Sequence, residues 1–139
     1  MAQFEPDSPN VLAEDFGGEI VAIHLASGRY YSLRGLAQTI WTDLGAGHTA
    51  KAIEQGVASA NAELGAATAA FIVRLQAEGL IRARATAADA TAPLTSLAAA
   101  QAGAARPELE SFDDMADLIK ADPIHEVDEA FGWPVRREQ

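Results

Sequence analysis

The chain has 139 residues, room for one core of ordinary size and an appendage. Its 20 acidic side chains against 10 Lys and Arg give a formal charge of −10, which repels a phosphate backbone and argues against DNA or RNA as a partner. Cysteine is absent, which excludes disulfides, thiolate nucleophiles and Cys-rich zinc sites; no signal-like start or bilayer-length apolar run occurs, so a cytoplasmic protein without membrane contact is expected.

The first ten residues carry Pro6, Pro9 and little periodicity, and read as a loose arm. A short strand is predicted over 11–16, and Gly17-Gly18 supplies the positive φ of a tight hairpin turn. The second strand, 19–25, sets Val21, Ile23 and Leu25 against Ala22 and His24. After Gly28 a third strand runs over 29–33, with Tyr31 and Leu33 able to face a core while Tyr30 and Ser32 face outward. Here the hydrophobic period switches from two to 3.6: Leu36, Ala37, Ile40, Trp41 and Leu44 form a helix stripe that ends at Gly45-Ala46-Gly47. Thr49 is placed to cap a second helix with Ile53 and Val57 on its buried side. Asn61, or Ser59 before it, can cap a third, whose stripe is Leu64, Thr68, Phe71, Ile72 and Leu75. Leu80-Ile81 then follows the helix-ending Gly79 as an apolar hook that packs back or adds a small wing. The expected fold is α+β and winged-helix-like, a three-stranded antiparallel meander followed by three helices. The third strand is expected at the sheet edge, open beside a helix-lined groove.

Three regions follow from composition: a folded domain over 1–84, a flexible Ala-rich linker over 85–105 with nascent helix near Ser96, and an acidic C-terminal docking segment over 106–139. In the last region Met115, Leu118 and Ile119 fall on one face of a predicted helix with acids at its positive end. Large apolar side chains alternating with acids, Trp133 among them, suit a segment built to dock.

With those elements placed, the body resembles the PqqD-like family, small proteins that bind leader peptides of ribosomally made, post-translationally modified peptides. The likeness rests on Val11-Leu12-Ala13-Glu14-Asp15-Phe16, on Gly28-Arg29-Tyr30-Tyr31-Ser32-Leu33-Arg34-Gly35, on the helix with Ile40-Trp41, and on Phe71 to Leu75 leading into Glu78-Gly79-Leu80-Ile81. It covers residues 8–82, and departs at Arg34, where the family commonly has Asn. The resemblance implies a groove between the third strand and third helix in which a leader lies as an added strand. On that reading Arg29, Tyr30, Tyr31 and Ser32 supply pairing and an aromatic wall, while Thr68, Ile72, Arg74 and Leu75 supply the helical wall. The tail is similar to C-terminal segments of some PqqD-like proteins, and its Pro107-Glu108-Leu109 has the Pro-x-Leu spacing of lasso-peptide leaders. Pro107, Leu109, Met115, Leu118, Ile119 and Trp133 are therefore the expected docking residues, tethered to their own or a neighbour's groove.

No nucleophile–base–orienter set, phosphate-cradling glycine loop or His-x-x-x-His pair occurs, and caps with a solvated face account for Asp122, His125 and Asp128. No catalytic residue, metal or cofactor is expected. The expected role is a non-catalytic adaptor whose partners are a precursor peptide, a modifying enzyme or protease, and other copies through the tail. The alternatives are a winged-helix DNA-binding regulator, which needs a more basic third helix, and a small enzyme using the tail carboxylates.

Overall fold

The computed structural model describes residues 3–113. They form an α+β fold with two antiparallel sheets and four helices. The smaller sheet joins the two ends of the body: β1 (Phe4–Pro6) pairs with β5 (Ile81–Ala83), setting Phe4 opposite Ala83 and Pro6 opposite Ile81. The first ten residues, expected as a loose arm, thus contain a strand whose Phe4 is buried. The Leu80-Ile81 hook supplies its partner, an association between chain ends that no local pattern announces.

The larger sheet has the order β2-β3-β4-β6, four strands where three were expected. β2 (Val11–Asp15) and β3 (Glu19–His24) meet at the glycine turn, where Asp15 Oδ1 accepts from the Gly18 N–H at 3.1 Å. β3 pairs in turn with β4 (Arg29–Arg34). β4 pairs on its other side with β6 (Glu110–Phe112), from the segment expected to lie beyond a linker. The register assigns alternate residues to opposite faces. Val11, Ile20, Ala22, Tyr31 and Leu33 are buried on the inner one. Leu12, Ile23, Tyr30 and Phe112 stand opposite one another in a row on the outer face.

The inner face shares one core with α1 (Leu36–Gly45), α2 (Ala50–Ala60) and α3 (Ala62–Ala77). Thr49 Oγ1 accepts from the Ala52 N–H at 2.9 Å, and Asn61 Oδ1 accepts from the N–H groups of Glu63 and Leu64 at 3.0 and 3.2 Å. Each polar side chain thereby satisfies helix-start donors that have no partner within the helix. α2 and α3 pack closely because Gly65 has no side chain; a Cβ there would lie 2.5 Å from that of Ala58.

The segment expected as a linker carries α4 (Thr95–Gln101), which packs on α1 and α2. Its residues are small, so their burial alone offers little; a buried carboxylate supplies the rest. Asp43, on α1 and 1% exposed, accepts from the Thr95 N–H and hydroxyl through Oδ1 at 2.9 and 2.7 Å. Its Oδ2 accepts from the Ser96 N–H and hydroxyl at 2.9 and 2.6 Å. Asp43 therefore caps α4 from another helix, replacing the local cap that Leu94 cannot provide. Upstream, His48 Nε2 donates to the Ala92 carbonyl at 2.8 Å, and the Gln3 amide bonds both the N–H and carbonyl of Ala88. The path from β5 to β6 is pinned at each of these points.

Asp43→Ala leaves the fully buried Ser96 hydroxyl and two N–H groups without their acceptor. The expected loss is about 2–3 kcal/mol, read as a lower urea midpoint. An unchanged midpoint would contradict the capping role.

Candidate functional site

The site is assembled where β4 turns its outer edge toward the chain from 106 onward. Gly28, at φ 75°, permits the tight turn that starts β4, and Gly35, at φ 60°, redirects the chain into α1. Aromatic and alternating residues between them favour a pleated strand. On the far side from β3, Tyr30 stands opposite Phe112, Tyr31 opposite Ser111 and Ser32 opposite Glu110, antiparallel. This edge was expected to be open. Instead the chain's own later segment completes its ladder, which follows from the tendency of unpaired edge N–H and C=O groups to recruit any strand within reach.

Two arginines at the ends of β4 clasp that segment. Arg34 Nη2 donates to Glu110 Oε1 at 2.6 Å. Arg29 Nη2 donates to Ser111 Oγ at 3.1 Å, and its Nε lies 3.8 Å from Asp113. Arg29 and Arg34 are nearly half exposed, so each ion pair stabilises by under about 1 kcal/mol.

The opposite wall is α3. One turn around from its buried stripe, Ala67, Ala70 and Arg74 face an open cleft of about 500 Å³ that Phe71 floors and that Pro107 and Leu109 border from the tail. A second cleft, about 350 Å³, lies between the outer face of β4 at Ser32 and Arg34 and the tail at Arg106 and Glu108. Leu109 packs against the margin of the core. The small alanines leave the helical wall incompletely filled.

Glu78 links the two walls. Its Oε1 accepts from the Tyr31 hydroxyl at 2.9 Å and its Oε2 from Arg74 Nε at 3.1 Å. The Tyr31 hydrogen bond, with that from Arg74, holds the Glu78 carboxyl below its ordinary pKa. Burial, reinforced by the hydrogen bond to Glu78, pushes the Tyr31 phenol up.

Several expected site residues occupy other places. Arg29 contacts β6 at Ser111, Arg74 lines the cleft on α3 with Pro107 and Leu109, and Tyr30 is on the outer sheet face beside Phe112. Tyr31 is buried and contributes its hydroxyl inward. Ser32 is on the outer sheet face, as expected, but is 2% exposed and donates to Glu19 Oε2 at 2.6 Å. Thr68, Ile72 and Leu75 are core residues, because the stripe that makes α3 legible as a helix is the stripe it buries. Thr68 Oγ1 is buried without a partner, so it offers a guest nothing. Met115, Leu118, Ile119 and Trp133, with Asp122, His125 and Asp128, lie outside the described residues.

Reading the sequence for the apolar stripe missed Ala67, Ala70, Glu78, Arg34 and Glu110. The usable signal was the small i, i+3 pair ending at a cation, Ala67, Ala70 and Arg74, adjoining the stripe. Among the described residues no group of three His, Asp or Glu side chains is placed to hold a metal ion. None of the described helices is long and apolar enough to cross a membrane. Compared with protein families, curated proteins and solved structures, the chain matches none.

The Tyr31–Glu78 bond gives stability a defined pH window. A depressed carboxyl stabilises above its ordinary value of 4.5 and loses that contribution as pH falls through the lower folded value. A raised phenol stabilises below its ordinary value of 10.0 and loses that contribution as pH climbs through the higher folded value. Tyr31→Phe should therefore lower stability by about 1 kcal/mol at pH 7, and the deficit should shrink below about pH 4 as Glu78 protonates. Urea titrations across pH check this; a deficit independent of acid would point to packing alone.

Proposed function

We propose that this protein is a non-catalytic adaptor that binds the leader of a ribosomally made precursor peptide by strand addition and presents it to a separate modifying enzyme or protease. The strand-and-helix order is read here as winged-helix-like, with the groove between β4 and α3. One observation carries the reading: the outer edge of β4 already takes a strand, β6, from outside the body formed by the first three helices. An edge that accepts a three-residue strand with main-chain pairing has the chemistry to accept another extended peptide. The resemblance of residues 8–82 to the PqqD-like family supports the same location.

The contribution of such a module is local concentration and orientation, leaving bond making to the partner. The clefts flanking the tail give side-chain room on both faces of an added strand. Neither alternative role gains a favouring observation. α3 carries Arg74 as its one cation, a poor footprint for duplex binding.

The test pairs the full chain with the N-terminal half of short peptides encoded beside its gene. Calorimetry should find one that binds with a micromolar Kd, and Arg29→Glu/Arg34→Glu should weaken it at least tenfold. The peptide's mass should stay unchanged after incubation with the protein alone. Binding indifferent to the double charge reversal would remove β4 from the account, and a modified peptide would remove the adaptor role.

A further inference from the structure

The segment seated on β4 is a record of what the groove can hold. It enters from Pro107, places Leu109 against the core margin, and pairs Glu110, Ser111 and Phe112 with Ser32, Tyr31 and Tyr30. Its acids meet the two arginines at the strand ends, Glu110 at Arg34 and Asp113 at Arg29. Shape, direction and charge therefore agree at successive positions. The hold is nonetheless light: the ladder is three residues long, its residues are only partly buried, and the cleft beneath Leu109 remains about 500 Å³. A firmly built core strand would fill such a space, because unfilled volume forfeits packing.

We propose that residues 106–113 are an intramolecular stand-in for the guest. The groove takes an extended acidic peptide of the order branched apolar, acid, small polar, aromatic, acid, lying antiparallel to β4. That peptide must displace β6 to bind. The inference rests on the strand-addition reading above and adds to it both the chemistry of the guest and the barrier it meets. A tethered segment acts at an effective concentration of roughly millimolar, so it screens out weak peptides without needing strong contacts of its own. A guest with a larger apolar side chain at the Leu109 position would gain by filling the space against Ala67, Ala70 and Phe71. The acids suit a site whose bordering cations are Arg29, Arg34 and Arg74, in a chain otherwise strongly negative.

The test uses a fluorescein-labelled synthetic peptide of residues 106–113 and the full chain. Anisotropy titrations compare the wild type with Leu109→Ser/Phe112→Pro, which removes the apolar anchor and the β6 backbone donor that faces Tyr30. The variant should bind at least tenfold more tightly than the wild type. A peptide with Lys at the Glu110 position should bind the variant at least fivefold more weakly, and adding Arg34→Glu to the variant should restore it. If the proline variant loses its fold, the exposed reversal Glu110→Lys/Asp113→Lys serves instead, with about threefold tightening over wild type expected. Equal affinity for wild type and displaced variant overturns the stand-in while leaving strand addition intact. Absence of binding to either, in variants that melt as the wild type does, overturns both readings.

Discussion

Everything in this structure bears on one row of main-chain groups, the outer edge of β4. Half of the N–H and C=O groups of an edge strand point away from their only neighbour, and leaving them beside an apolar helix wall without water or a partner is costly. The chain resolves this by returning, after three helices and a long small-residue segment, to lay β6 along that edge. The contact is held by a short ladder, a half-buried leucine and two exposed ion pairs, which together are enough to occupy the edge and too little to seal it.

That economy depends on the anchor that precedes it. A free segment of the length from 84 to 110 would sample a large volume, and closing it would cost entropy that a three-residue ladder does not offset. Asp43 removes much of this freedom by capping α4 from α1, while Gln3 and His48 pin the stretch before it. Gly56 contributes through what it lacks: a Cβ there would stand 2.8 Å from Leu94 Cδ1, so α4 could not approach α2 as closely. Once α4 is seated, only residues 102–109 separate its last turn from β6. The groove and its occupant are then part of one fold, with the occupant a strand of three residues at the sheet edge.

The parts of the molecule written in neighbouring residues were legible in advance. The Gly17-Gly18 turn, the caps at Thr49 and Asn61 and the switch from strand to helix at Gly35 each involve positions within a few residues, where turn and cap chemistry act. The features that depend on distant partners were not. β1 finds β5 across most of the chain, and the helix expected near Ser96 is present as α4, but its docking through one aspartate on α1 was not foreseen. Asp43 did leave a trace, an acid one turn from Ile40 and beside Leu44 on a buried helix face. Thr68, Ile72 and Leu75 were expected on a groove wall and are buried in the core. The same periodicity that identifies α3 marks those residues as core, and the cleft is bordered by the small residues one step around.

The sheet has a second edge, and it sharpens the account. Among the described residues β2 pairs only with β3, and Leu12 and Phe16 are 52% and 65% exposed along it. Its sequence ends in Glu14 and Asp15 with no cation, whereas β4 ends in arginines and faces a helix. The acidic strand β6 lies along β4. The most direct measurement is NMR of a ¹³C,¹⁵N-labelled peptide of residues 106–113 bound to the unlabelled full chain. Cross-strand contacts from that peptide to 29–34, with those of 110–112 to the same strand lost, are the predicted result. Contacts to 11–15 with β6 still in place would contradict the central claim.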